Sequence, residues 1–224
     1  MKKNLLLFGG SSDVGEAIIK ELSNDYNIYA TRNTGKIFSK VKQTFLCNLR
    51  KLKDIKEVVK NVPSLDAVVF STYPEILNDA KDFNGYLKTE TLLRGYMYAM
   101  TEVINEKLKK GGKIINILGQ SANNGLPDAP FMGMGLAAIH NYSKSVNATY
   151  GRKGDFAIYD ILMGPMNTKM WDRIPGKITK DWRDNSKEFV NPNIPAKYVK
   201  QILENSIGPT EIIIDGFYSL PRQA

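Results

Sequence analysis

Seven short and almost continuously apolar runs punctuate the chain: NLLLF at 4–8, NIYAT at 27–31, TFLCN at 44–48, DAVVFS at 66–71, KIINIL at 113–118, AIYDILM at 157–163 and EIIIDG at 211–216. Gly, Asn or Pro bounds them. Runs of this length predict strands, and their lack of in–out alternation predicts burial on both faces, as in a parallel sheet. Between them the apolar residues recur at helical spacing, predicting helices over 13–23, 50–60, about 87–109, 134–151 and about 195–205. Asn193-Ile194-Pro195 supplies a cap and an early proline for the last of these. Strand–helix alternation of this kind predicts an α/β fold: a Rossmann-like, doubly wound, seven-stranded and mainly parallel sheet with helices on both faces. Ligands of such sheets bind beyond the carboxyl ends of the strands.

No composition shift, repeat or linker interrupts the pattern, so residues 1–224 are expected to form a single domain. The one long irregular stretch, 166–194, falls between the sixth and seventh strands and holds Trp171 and Trp182. A connection of that length inside a compact domain predicts a substrate loop or lid.

Composition narrows the classes. The 31 basic and 23 acidic residues give a net charge of +8. The lysines are scattered in pairs over helix faces without aromatic interleaving, so no nucleic-acid partner is expected, whereas an anionic small ligand is compatible. The apolar run at Leu5–Phe8 is too short for a signal peptide, and no stretch reaches the roughly 18 apolar residues of a membrane span. Cys47 stands alone, which excludes an internal disulfide and suggests a reducing, cytoplasmic setting. No membrane partner and no metal site are expected.

The first strand runs straight into Gly9-Gly10-Ser11-Ser12-Asp13-Val14-Gly15, where a helix begins. A glycine-rich turn feeding a helix exposes backbone N–H groups and the positive end of the helix dipole, which suits a pyrophosphate. Ser11 and Ser12 add hydroxyls. The second strand ends at Arg32-Asn33, and no Asp or Glu occurs from Ile28 to Lys42. In dinucleotide folds an acid near this point binds the ribose 2′-hydroxyl, while an arginine accommodates a 2′-phosphate. Arg32 therefore favours NADP(H) over NAD(H), because guanidinium pairs with phosphate through charge-assisted hydrogen bonds.

At this point the chain resembles the short-chain dehydrogenase/reductase family over nearly its whole length. FGGSSDVG resembles that family's TGxxxGxG, with Asp13 where the middle glycine commonly stands. CNL at 47–49, with Asn48 and Leu49, resembles the segment around the adenine, Asn48 standing for its usual Asp, and Phe70-Ser71-Thr72-Tyr73 stand where the family has NNAG. GGKIINI at 111–117 resembles its fifth strand, MGPMNTKM at 163–170 its PGxxxTxM, and IIIDGFY its last strand. The resemblance implies that Gly164, Pro165, Met166 and Thr168 also line the cofactor, and that the chain pairs as a homodimer or homotetramer.

The same resemblance implies a Ser, Tyr, Lys and Asn tetrad, and here the chain departs from the family. The Tyr position falls on Gly133, the Lys position on Ala137, the Ser on Gly119 and the Asn on Leu92. The register of the superfamily's enoyl reductases puts Phe131 and Ala138 at its Tyr and Lys. No tyrosine in the chain is followed four residues later by lysine. Tyrosine, with an ordinary pKa of about 10, needs a cationic neighbour to act near neutrality.

Replacement groups are few. His140, the only histidine, follows Ala137 by one turn. Tyr96 lies one turn after Leu92, and Ser121 two residues after Gly119. Tyr73 stands at the ligand end of the fourth strand, and Asp128 precedes the helix. His140, Tyr96 and Ser121 are the catalytic candidates, each with a plain packing role as the competing reading. Two functions follow. The first is an NADP(H)-dependent oxidoreductase with a non-standard active site, acting on an unidentified small molecule that needs little proton donation, such as a conjugated enone, an imine or a flavin-like acceptor. The second is a catalytically inactive dinucleotide-binding regulator or partner subunit.

Overall fold

The computed structural model describes residues 2–37, 39–72, 80–125, 129–170, 189–205 and 210–214. Its strands are β1 (Lys3–Phe8), β2 (Tyr26–Arg32), β3 (Gln43–Leu46), β4 (Leu65–Phe70), β5 (Leu108–Gly119), β6 (Phe156–Met163) and β7 (Glu211–Ile214). They form one seven-stranded sheet in the order β3-β2-β1-β4-β5-β6-β7, with every neighbouring pair parallel. The helices are α1 (Asp13–Leu22), α2 (Leu52–Asn61), α3 (Phe83–Glu106), α4 (Ser121–Asn124), α5 (Pro130–Thr149) and α6 (Asn193–Glu204), with a short 3₁₀ turn at Gly151–Lys153. This is a doubly wound, Rossmann-like α/β architecture.

The pleat sorts each strand's side chains between two cores. Leu5, Leu7, Val69, Ile115, Ile117 and Ile161 face α1 and α6. Leu6, Phe8, Val68, Phe70, Ile114, Leu118 and Ile158 face α2, α3 and α5. Both sets are buried, so strands read as continuous apolar runs because each side has a helical layer to meet. Burying one such side chain contributes roughly 1.5–3 kcal/mol. On the α3/α5 face, Phe70 stacks between Phe8 and Tyr96, with ring centroids 4.8 and 4.5 Å away.

Boundaries depart from expectation where polar residues or glycines obscured them. The third helix starts at Phe83, four residues before the expected 87, because Asp82 caps it: its side chain accepts from Asn84 N at 3.0 Å. β5 starts at Leu108 instead of 113, carrying two lysines and two glycines before its apolar part, and its register against β4 shifts between Leu65 and Ala67. α5 starts at Pro130 instead of 134, with the proline in its first turn. The short α4 has no apolar period and was not anticipated. Most of the expected 166–194 loop, with Trp171 and Trp182, lies outside the described residues, as do Tyr73 and Asp128. Among the described residues no helix is long and apolar enough to cross a membrane.

Candidate functional site

The site is built at the carboxyl end of β1. Strand order places β2 and β3 on one side of β1 and β4 to β7 on the other. This is the switch point where doubly wound sheets open a crevice. The turn leaving β1 is tightly folded. Gly9 has φ +87°, and a side chain there would meet Ser71 O at 2.4 Å. Gly10 N donates to Thr31 O at 2.8 Å, and Gly9 N to Thr31 Oγ1 at 3.1 Å. Ser12 caps α1, its Oγ accepting from Gly15 N at 2.9 Å and donating to Gly9 O at 2.9 Å. A Cβ on Gly15 would meet Gly9 O at 2.3 Å. Glycine at 9 and 15 thus lets the backbone fold onto itself. The first-turn N–H groups of Asp13 and Val14 have no intrahelical acceptor and open toward the crevice end of α1.

Other strand ends converge on this turn. Ser71, at the end of β4, is buried with its Oγ 3.3 Å from Ser12 Oγ. Next to it Thr72 Oγ1 is buried with no hydrogen-bond partner among the described residues. From the far side, Lys169 N donates to Asp13 Oδ2 at 2.7 Å. That bond draws the segment leaving β6, which carries Gly164, Pro165, Met166 and Thr168, across to the first turn of α1. It also turns the Asp13 carboxylate toward this segment. Arg32, at the end of β2, donates from Nη1 to Gly35 O at 3.2 Å, and Ser11 Oγ donates to Thr34 O at 2.9 Å. Together they fix the Asn33–Gly35 bend beside the glycine turn.

The adenine-side segment is set by a helix contact. A Cβ on Gly95 would lie 1.6 Å from Leu49 O, so the backbone after β3 rests directly on α3. Asn48 spends its side chain locally, its Oδ1 accepting from Arg50 N at 3.0 Å. Cys47 beside it is buried, and that burial pushes its thiol up to about 12, which keeps it unreactive.

The catalytic candidates lie in a different setting. Gly133 is buried and Ala137 half-buried on α5. A Cβ on Gly135 would touch Thr89 Cγ2 at 3.0 Å, so α5 packs closely on α3. Tyr96 is 3% exposed and donates to Asn116 Oδ1 at 2.9 Å. Burial, aided by the nearby Asp160 charge, holds its phenol well above the ordinary range. Ser121 is buried at the start of α4. His140 is 4% exposed, with Nδ1 2.7 Å from Asp160 Oδ2. Its Nε2 lies 2.9 Å from Glu211 Oε2, near enough for an ion pair but out of line for a hydrogen bond.

These residues belong to one buried polar network. Asn116 Nδ2 donates to Asp160 Oδ1 at 2.8 Å and to Ser143 Oγ at 3.2 Å, and Ser143 Oγ donates to Asp160 Oδ1 at 3.0 Å. Burial pushes the Asp160 carboxyl above its usual range, against the pull of the hydrogen bonds from His140, Asn116 and Ser143. Asn116, Ser143, Asp160 and Glu211 were not singled out from the sequence. The signal was there: Asn116 and Asp160 are polar residues inside strongly apolar runs, and a buried polar group needs a partner. They are partners, sitting opposite one another in the β5–β6 register.

A 220 Å³ cavity bordered by Lys3, Asp66 and Lys113 lies at the other end of the sheet, near the start of β1 and β4. Lys113 is occupied there, its Nζ donating to the carbonyls of Ile202, Leu203 and Asn205 at the end of α6.

No family model and no curated protein matches the chain. Solved structures do. A short chain dehydrogenase family protein from Francisella tularensis aligns with TM-score 0.84 at 20% identity, covering 96% of this chain and 98% of that one. BdcA in complex with NADPH aligns with TM-score 0.81 at 17% identity, covering 96% and 93%. The 3-ketoacyl-(acyl-carrier-protein) reductase from Brucella melitensis complexed with NADH aligns with TM-score 0.80 at 13% identity, covering 96% and 97%. The chain therefore shares the fold of these proteins over 96% of its length.

Proposed function

We propose that the chain is a divergent short-chain dehydrogenase/reductase that binds NADP(H) at the β1–α1 turn and transfers hydride through a non-standard active site. The observation that carries this reading is the turn itself. Gly9 and Gly15 exclude side chains at 2.4 and 2.3 Å, and the start of α1 opens on the switch-point crevice between β1 and β4. Bound there, the cofactor supplies the hydride, and the protein's part is to hold and orient it against an acceptor. The N–H groups of Asp13 and Val14 serve the diphosphate, while Ser12 caps α1 and Ser11 holds the neighbouring bend. Arg32 serves the 2′-phosphate, in a stretch free of carboxylates from Ile28 to Lys42. Asn33, Asn48, Leu49, Ser71, Thr72 and the Gly164–Thr168 segment line the remainder.

With Gly133 and Ala137 at the family's tyrosine and lysine positions, the chain has no phenol–ammonium pair to protonate an alkoxide. The acceptor class that fits is one whose reduced form needs little enzymic proton donation: an enone, an imine or a flavin-like ring. We further propose that residues 1–224 act as one domain in a homodimer or homotetramer.

The burial of Tyr96, Ser121 and His140 favours a second reading, in which the chain binds the dinucleotide as a regulator or partner subunit without turnover. One experiment separates the two. NADPH is incubated with the protein and a panel of carbonyl, enone, imine and flavin acceptors, and nicotinamide absorbance is followed. Turnover of any acceptor supports the reductase. Saturable NADPH binding without turnover of every acceptor supports the regulator. Failure to bind either dinucleotide removes both.

A further inference from the structure

β7 is a four-residue edge strand whose one strand neighbour among the described residues is β6. Its first residue, Glu211, stands opposite Asp160 in the register. Directly opposed side chains on neighbouring strands share a sheet face, and like charges placed so are destabilising. Asp160 is 2% exposed, so water screens its carboxylate poorly. Left alone, this pair would weaken the hold of the sheet on its edge strand.

His140 lies over both. Its Nδ1 is 2.7 Å from Asp160 Oδ2 and its Nε2 is 2.9 Å from Glu211 Oε2. An imidazolium has N–H groups on both nitrogens, so its charge sits between the two carboxylates, hydrogen-bonded to Asp160 and within ion-pair distance of Glu211. A neutral imidazole has one N–H, so one nitrogen lone pair then faces a carboxylate oxygen at under 3 Å. We propose that His140 is a protonation-controlled clamp, docking β7 on α5 and β6 when charged and releasing it when neutral.

The surrounding groups leave the imidazole as the switching element. From α5, Lys144 Nζ lies 3.2 Å from Glu211 Oε2, but it is exposed and reaches only the outer carboxylate. From β6 comes Asp160 and from β7 Glu211. β5 contributes neutral Asn116, and α3 contributes Tyr96, whose phenol burial keeps protonated. With one charge on each, Asp160, Glu211, Lys144 and His140⁺ sum to zero. Loss of the imidazole proton leaves −1 on a cluster whose inner members, His140 and Asp160, are buried. Histidine is also the side chain that ordinarily changes charge between about pH 5 and 8.

The clamp reaches the crevice. Ile214 O, at the end of β7, accepts from Gly164 N at 3.0 Å and from Gln120 Nε2 at 3.2 Å. Gly164 and Gln120 begin the segments leaving β6 and β5. Undocking β7 therefore removes an anchor from both. The inference concerns the free protein and does not rest on the dinucleotide reading.

The chain's one histidine makes the test direct, since its imidazole carbon-bound protons give one assignable NMR titration. Wild-type protein and Glu211→Gln are compared from pH 5 to 9, reading the imidazole shifts, the hydrogen-exchange protection of β7 amides and Tm. Because the clamp is complete only with the proton on, its contribution is present on the acid side and lost as pH rises through the imidazole titration. The wild type is expected to lose β7 protection at least about tenfold and to drop in Tm by about 3 °C or more across that titration. Glu211→Gln, with no second carboxylate, is expected to show neither change in step with the histidine. A wild-type imidazole that keeps one protonation state from pH 5 to 9, or β7 protection indifferent to its titration, overturns the clamp. So does an unaltered pH profile in Glu211→Gln.

Discussion

The β1–α1 turn and the middle of α5 face the same sheet but use their special residues in opposite ways. At the turn, glycines remove side chains so that backbone donors open on a crevice. On α5, His140 and Ser143 are instead drawn inward to satisfy Asp160. The first arrangement leaves polar groups for a ligand; the second uses them up. A low-exposure histidine between two carboxylates holds the sheet edge together, and proximity to an expected catalytic position does not make it a proton donor to substrate.

The contrast can be broken most forcefully at Asp160. Asp160→Ala removes the charged acceptor shared by Asn116 Nδ2, the Ser143 hydroxyl and His140 Nδ1 in the core. It is expected to cost about 3–5 kcal/mol, the usual penalty for removing one partner of a buried ionic network. Urea unfolding measures it, and a cost under about 1 kcal/mol would mean the network contributes little. Next, Gly15→Val forces a side chain against Gly9 O. It is expected to destabilise by about 1–3 kcal/mol while lowering dinucleotide affinity out of proportion, since the whole turn must move. NADPH titration against the melting curve separates the two effects; intact affinity would detach the turn from binding.

Smaller and more selective is Arg32→Glu. A charge-assisted hydrogen bond contributes about 1.5–3 kcal/mol, so NADPH should weaken roughly 10- to 100-fold with NADH nearly unaffected. Equal losses for both would remove the 2′-phosphate argument. The smallest effect sharpens the other side. Tyr96→Phe leaves Asn116 Oδ1 without its donor and is expected to cost about 1–2 kcal/mol in stability. Any turnover with a competent acceptor should persist in this variant at a temperature where it is folded. A selective collapse of turnover would restore Tyr96 as a catalytic group.

Much of the fold was legible because buried parallel strands leave unbroken apolar runs, and each of the seven was located within a few residues apart from the start of β5. The lysines and glycines of 109–112 carry no apolar signal between the expected helix end near 109 and strand start at 113, whereas their backbone belongs to the strand. α5 hid its first turn because Gly133 and Gly135 weaken helical propensity, while close packing on Thr89 is what requires glycine at 135. At the site, the phosphate turn was legible because glycine spacing reports backbone geometry directly. The Asn116–Asp160–His140–Glu211 network was not, since it depends on strand register across three strands and a helix, which a linear pattern does not encode. The Asp13–Lys169 contact spans 156 residues and was equally invisible.

The account depends most on the β1–α1 turn gripping a phosphorylated dinucleotide. Equilibrium titration of the wild-type protein with NADPH and with NADH, followed by nicotinamide fluorescence, tests it directly. The expected result is saturable binding of both, with NADPH tighter and the difference abolished in Arg32→Glu. Absence of binding by either cofactor up to about 1 mM, where the binding free energy has fallen to about −4 kcal/mol, would contradict it.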